Sequence, residues 1–363
     1  MRKFFYCKSF CAIVALTVLN YLLNYCFFNK TYGVYMSIVQ VARRANVSTS
    51  TVSRYLHGTL NVEDSTAQRI DEAAHFYKYT TKINSKTTYK ALALVIPGLN
   101  NPFYSELCQQ LSMAADGLGY TLNIKISQGN PIKERNIVES IIKEQKYIGL
   151  IYAGLNNNNI ALRKVIPSGM NAVLIDEQMN DEKLSNISTV TVDNYSGAYQ
   201  AVCYLLSLGH KRIAYVSGPD GLSTTSDRKH GYLSALSNSK ILYDDSLIFS
   251  GPYTEEFGES IFPYIVSNPD PPTAIFCSSD ISALGLLGAA ERYGLKIPDD
   301  LSVIGCDGIH IGKWAHPSLT TLQQPFEAIA KSTLELISFN GETKHIQLPL
   351  TLTIRNSTCR IKN

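Results

Sequence analysis

Between residues 37 and 77 apolar positions recur three and four apart, and from residue 90 onward they gather into short runs separated by amphipathic stretches. The first pattern is helical. Ile38, Val41, Ala42 and Ala45 share one helical face, and Ser37 with Gln40 forms a capping box at its start. Asn46-Val47 makes a turn, Asn being tolerant of a left-handed backbone. Ser48 caps a second helix whose apolar face is Val52 and Leu56, and Gly58 is suited to ending it. A third helix is predicted from about Asp64 to Tyr77, with Ile70, Ala73, Ala74 and Tyr77 facing inward. Three such helices bury one small core and leave the second projecting.

The later pattern is different. ALALVIP, TLNIKIS, IGLIYAG, AVLID, RIAYVSG, AIFCSS and LSVIGCD are apolar runs bounded by Gly, Pro, Asn or Asp, with helical stretches such as 104–118 and 197–208 between them. Alternation of this kind predicts parallel sheets covered by helices on both faces. Such sheets collect ligand-binding groups at the carboxyl ends of their strands. The candidates are therefore residues 100–104, Ser127, Asp176, the loop before Arg228, Ser279, Asp280 and Asp307. Carboxylates and an Arg fork suit paired hydroxyls, and an aromatic face suits the C–H side of a sugar ring. An Asp at a strand end more often caps the next helix. For Asp280 and Asp193, taken singly, that reading suffices.

The chain of 363 residues has room for two or three domains. Its net charge of +3 hides an asymmetry. Residues 36–90 carry eight Lys/Arg against four Asp/Glu, whereas the chain beyond them carries 21 against 26. A basic front on an acidic body suits a polyanionic partner. The eight cysteines show no C-x-x-C pair and no zinc spacing, so reduced thiols are expected, with Cys277 and Cys306 packed as small apolar side chains.

Thr49, Ser50, Ser53 and Arg54 are small or donor-bearing side chains on the exposed side of the second helix, as entry into a major groove requires. An ordinary three-helix module would explain the spacing alone. The longer string decides between them. SIVQVARRANVSTSTVSRYLHGTLNV resembles the head of LacI/GalR-type repressors, matching their pattern at Val41, Ala42, Ala45, Val47, Ser48, Thr51, Val52, Ser53, Arg54 and Leu56. It departs at Gln40, Asn46 and His57, where the family usually has Asp, Gly and Asn. The resemblance implies that Thr49, Ser50 and Arg54 read operator bases. The DNA-contacting set expected here is Ser48, Thr49, Ser50, Thr51, Ser53, Arg54, His57 and Lys82. In the linker 78–90 the family's minor-groove string is missing. Ile83 is its one aliphatic residue, so phosphate contact by Lys78, Lys82, Lys86 and Lys90 is expected and insertion of a wedge is left open.

The resemblance runs on to about Arg360 through NPFYSEL, DRKHGYLSAL and SSDISALGLLGAAERYGLKIPDDLSVIGCDG. It implies a periplasmic-binding-protein-like type I core of two doubly wound parallel-sheet lobes behind the all-α helix-turn-helix head. By resemblance Phe103 and Tyr104 stack on a sugar-like effector, Arg228 forks onto its hydroxyls, and Asn101, Asp176, Ser279, Asp307 and Gln324 line or cross the cleft. The expected organisation is an extension at 1–35, a DNA-binding domain at 36–77, a linker at 78–90, and an effector-binding and dimerisation core at 91–360. One lobe would take about 91–190 and 322–341, the other about 191–321 and 342–360.

The first 35 residues have a basic start and an apolar stretch from about Cys11 to Leu23, short for a membrane span. A secretion signal, a membrane tether and upstream sequence read from a misplaced start compete. Met36, directly before a well-formed helix start, favours the third. The expected protein is a cytoplasmic, nucleoid-associated repressor of a carbohydrate-utilisation operon. Its partners would be near-palindromic double-stranded DNA, a small sugar-like effector and a second copy of itself, with no cofactor or metal. The alternative is an exported or tethered solute-binding protein for sugar uptake. An enzyme is disfavoured: the chain has no G-x-S-x-G, no H-E-x-x-H and no phosphate-cradling glycine motif.

Overall fold

The computed structural model describes residues 38–56, 60–77, 79, 90–155, 159–179, 181–338 and 342–361. The chain divides into two compact units between Thr88 and Tyr89. Expectations for residues 1–35, Ser37, His57, Gly58, Lys78, Lys82, Ile83 and Lys86 lie outside the described residues.

In the first unit α1 (Ile38–Ala45), α2 (Thr49–Leu56) and α3 (Asp64–Phe76) close around Val41, Ala42, Ala45, Val52, Ile70 and Ala73, all buried. The turn after α1 puts Asn46 at φ 54°, where its short amide side chain lowers the penalty of a left-handed backbone. Ser48 then caps α2, its Oγ accepting from the Thr51 amide at 3.0 Å. The Tyr55 hydroxyl donates to Asp71 at 3.0 Å and ties α2 to α3. Arg44 lies 3.6 Å over the Phe76 ring, so an exposed aromatic is covered by a guanidinium.

The second unit holds two six-stranded sheets. In chain order the elements are β1 (Lys90–Ile96), α4 (Pro102–Gly117), β2 (Tyr120–Ile126), α5 (Pro131–Glu144), β3 (Tyr147–Tyr152), β4 (Asn171–Ile175), β5 (Ser188–Val192) and α6 (Asn194–Ser207). There follow β6 (Ile213–Ser217), α7 (Ser223–Asn238), β7 (Ile248–Ser250), α8 (Glu255–Val266), β8 (Ala274–Cys277), α9 (Asp280–Arg292), β9 (Ser302–Asp307) and β10 (Thr320–Gln323). The last are α10 (Phe326–Ser338), β11 (His345–Leu348) and β12 (Thr351–Thr353). One sheet has the order β11-β5-β4-β3-β1-β2 and is parallel. The other runs β12-β10-β9-β8-β6-β7, with β12 alone antiparallel.

Both faces of each sheet are covered, which is why the central strands read as unbroken apolar runs. On β1, Leu92, Leu94 and Ile96 face α4 and α10, while Ala93 and Val95 face α5. On β6, Ile213 and Tyr215 face α6 and α7, while Ala214 and Val216 face α8 and α9. Each large aliphatic side chain so buried contributes about 1.5–3 kcal/mol.

The chain crosses between lobes after β5 and after β10, and again between β11 and β12. This corrects one sequence expectation. Residues 342–360 do not all join the second lobe, because His345–Leu348 pairs with Thr189–Val192 at the edge of the first sheet. Without β11, β5 would be left as the open edge, and HIQL alternates polar and apolar side chains in the way a half-covered edge strand allows.

Candidate functional sites: an exposed polar helix and a closed cleft

On α2 the side chains of Thr49, Ser50 and Arg54 are exposed, while Thr51 and Ser53 are half-buried. Ser48 and Thr51 serve the helix start: besides the cap, their hydroxyl oxygens are 2.7 Å apart, and Ser48 Oγ lies 2.8 Å from Ser50 Oγ. A helix opened by Ser-Thr-Ser-Thr needs no bulky side chain at its tip. Its first turn is slim enough to approach base edges closely.

The other site lies between the two sheets of the second unit. Asn101, Phe103, Tyr104, Leu155, Asp176, Glu177, Thr224, Arg228, Tyr253, Ser279 and Asp307 line one tight cavity of about 20 Å³, room for about one water molecule as the lobes stand and well below the size of an open ligand pocket. Seven of the eight effector residues expected from sequence thus meet around one cavity. Gln324, the eighth, reaches it through Asp307, its Nε2 donating to Oδ1 at 3.5 Å, while its own Oε1 is buried with no partner among the described residues.

Local structure places each group. Asn101 caps α4, its Oδ1 accepting from the Phe103 amide at 3.0 Å, which aims Phe103 and Tyr104 inward in an edge-to-face pair with centroids 5.0 Å apart. Phe326 backs Phe103 at 5.6 Å. Asp176 and Asp307 end their strands with φ of 72° and 127°, conformations that L side chains rarely adopt and that cluster at ligand sites. Ser279 caps α9, its Oγ accepting from the Ser282 amide at 3.4 Å. Asp280 is not that cap. It takes the Thr321 hydroxyl at 2.6 Å and the Ile309 amide at 2.9 Å, a structural role behind the cleft wall. Asp193 does cap its helix, as its sequence position suggests. Ser127 stays away from the cavity and donates to Glu134 at 3.1 Å.

Three carboxylates face one guanidinium. Arg228, 3% exposed, donates through Nε to Asn194 at 2.8 Å and through Nη1 to the Ser278 carbonyl at 2.5 Å. Its Nη2 stands 3.9 Å from Asp307. Protein atoms surround Asp176, although part of its surface stays open to the cavity. Burial first, then repulsion from Glu177, push its carboxyl up to about 7, while Arg228 pulls the other way. Burial likewise lifts Asp307 well above the usual carboxylate range against the pull of Arg228. Burial and the facing acids hold the Tyr104 hydroxyl well above its ordinary value, so it stays a donor. Cys277 and Cys306 are buried thiols, as expected. The cavity therefore offers acceptors, hydroxyl donors and aromatic faces: the chemistry of a polyol site.

Sequence reasoning did not name Leu155, Glu177, Thr224 or Tyr253. Glu177 directly follows a residue it did name, and Thr224 lies in the stretch before Arg228, which was expected to be a loop and is instead the first turn of α7. Tyr253 follows β7, whose three residues carry too little pattern to be read as a strand.

Among the described residues, no helix is long and apolar enough to cross a membrane. Residues 37–82 match the family profile of bacterial regulatory proteins, lacI family, and residues 202–358 match a periplasmic binding protein-like domain. The chain is 32% identical over 313 residues to the HTH-type transcriptional repressor CytR of Escherichia coli (strain K12), covering 84% of this chain and 90% of that protein. It is 31% identical to the HTH-type transcriptional regulator DegA of Bacillus subtilis (strain 168), over 89% and 98% of the two. A solved complex of the transcriptional regulator CelR with cellobiose superposes with a TM-score of 0.67 at 23% identity, covering 89% of this chain and 99% of that one, which carries the fold. These relatives are transcription regulators and lend no support to the transport alternative. With its three-helix head, its two-lobed core and this similarity along most of its length, the chain belongs to the lacI family of bacterial regulatory proteins.

Proposed function

We propose that this protein represses a carbohydrate-utilisation operon and releases or tightens its hold when a small sugar-like molecule occupies the cavity between the lobes. The observation that carries this reading is the meeting of Asp176, Asp307 and Arg228 with Phe103 and Tyr104 around one space. Carboxylates and a guanidinium take paired hydroxyls, and the aromatic pair covers the apolar face of a pyranose or furanose. The structural relative CelR is a complex with cellobiose, and a carbohydrate ligand suits this cavity chemistry equally. A ligand controls DNA binding only through a difference in its affinity for two lobe arrangements.

Thr49, Ser50 and Arg54 would meet base edges, Ser53 and Lys82 phosphates, with residues 36–77 acting as the DNA-binding domain and 78–90 as the link to the core at 91–360. A homodimer follows from the short reach of one helix, which reads only a few base pairs; two copies read a near-palindrome. An apolar groove including Ile281, Leu284, Ile311 and Trp314, with Trp314 65% exposed, offers a face for the second copy. The working compartment is the cytoplasm, at the nucleoid.

The test is a gel shift of the full chain on the DNA upstream of its neighbouring operon, repeated with a panel of neutral sugars. A retained near-palindromic fragment whose retention one sugar alters is the expected result. No retained DNA at low salt would sink the reading.

A further inference from the structure

Helix α7 begins without a cap of its own. The residue at its N-cap position is Leu222, whose side chain has nothing to accept a backbone amide. The cap comes instead from the opposite lobe. Glu177 follows β4 in the first lobe, and its Oε2 accepts from the Ser223 amide and the Ser223 hydroxyl, both at 2.7 Å, and from the Thr224 amide at 3.4 Å. Its Oε1 accepts from the Thr224 hydroxyl. The Gln178 amide returns the contact, donating to Ser223 Oγ at 2.8 Å. Glu177 is 2% exposed and Thr224 equally so.

We infer that Glu177 is a positioning residue that latches the two lobes together, by capping α7 across the gap, without help from an effector. A carboxylate at the start of a 16-residue helix meets both unpaired amides and the positive end of the helix dipole. Opening the lobes separates these partners at once. The chain links the lobes only at the crossings after β5, after β10 and between β11 and β12, so hinge motion is resisted chiefly by such contacts. The groups facing Glu177 are Asp176 beside it, Asp227 on α7, and Arg228, Tyr253, Asp307 and Tyr104 around the cavity. Only one of these is cationic, and Arg228 is committed to Asn194 and Ser278. The helix start is therefore the main stabiliser of the Glu177 charge. An effector then adds to an arrangement the chain already holds, and its affinity depends on how firmly this contact pre-sets the cleft.

A reporter is built into the other rim. The His310 amide, in the second lobe, donates to Glu106 on α4 in the first, so its hydrogen exchange follows lobe separation at a site Glu177 does not touch. In the full chain without added sugar, Glu177→Ala should speed exchange at His310 and across 222–226 by at least fivefold, with Glu177→Gln intermediate because it keeps an acceptor and loses the charge. Ser223→Ala combined with Thr224→Val, which attacks the contact from the helix side, should do the same and serves if the Glu177 variant does not fold. Faster exchange confined to 222–226 would mean a local cap only, and uniformly faster exchange, including the β1 and β8 strands, would mean a general stabiliser. Either result overturns the latch.

Discussion

Arg228 Nη2 and Asp307 Oδ1 face each other at 3.9 Å, both side chains almost fully buried, too far apart to share a hydrogen bond. Two other nitrogens of the guanidinium are engaged, and among the described residues Asp307 holds only a long bond from Gln324. A buried ion pair left loose in this way keeps hydrogen-bonding capacity for a third party.

Arg228→Ala should abolish the response to effector while sparing DNA binding. It also removes the one cation among the cavity-lining groups, and breaking a buried pair costs about 3–5 kcal/mol. Denaturant unfolding should report that loss, and a sugar that raises the melting temperature of the parent should leave the variant unmoved. A variant that lost DNA binding yet kept its sugar response would place the cleft elsewhere.

Stability should fall as pH rises through neutrality. The Asp176 carboxyl, pushed up to about 7 by burial and by Glu177, favours the folded chain in its protonated form. Its contribution is complete below the ordinary Asp value of about 4 and is lost as pH climbs through about 7. Between pH 5 and pH 8 the melting temperature of the parent should therefore drop more steeply than that of Asp176→Asn. Parallel slopes would show that Asp176 titrates as an ordinary surface acid.

Arg54→Ala should weaken operator binding by about 1–3 kcal/mol if the guanidinium makes a bidentate base contact. Fluorescence anisotropy on operator and on scrambled duplex separates the cases. A loss on operator alone is expected. Equal losses on both would reassign Arg54 to phosphate.

Gly285→Ala should cost about 1–3 kcal/mol in denaturant unfolding. A Cβ there would lie 2.1 Å from the Glu255 carbonyl oxygen, and one at Gly258 would lie 2.0 Å from that of Ser282, so α8 and α9 touch backbone to backbone. Gly288, three residues along, meets nothing closer than the end of Arg292 at 3.6 Å. Gly288→Ala should be neutral or slightly stabilising, since Ala is the better helix former by about 1 kcal/mol.

The periods of 3.6 and 2 along the chain, with Asn46, Ser48 and the Gly- and Asp-bounded apolar runs, were enough to place the three-helix head and most of the strands, because these depend on neighbours in sequence. The same is true of the polar face of α2 and of the strand-end residues Asp176 and Asp307. Among the strands left unread are those with least local signal: β5 is built of Ser, Thr and Val, β7 has three residues, β10 has four, and β11 alternates at an edge. Tertiary structure alone decided that β11 closes the first sheet, that Tyr253 reaches the cavity, and that Leu222 is answered by Glu177 from across the gap. Helix periodicity and capping are written within a few residues, whereas the partner of an edge strand or of an uncapped helix is supplied by a segment tens or hundreds of residues away, and only the packed chain brings the two together.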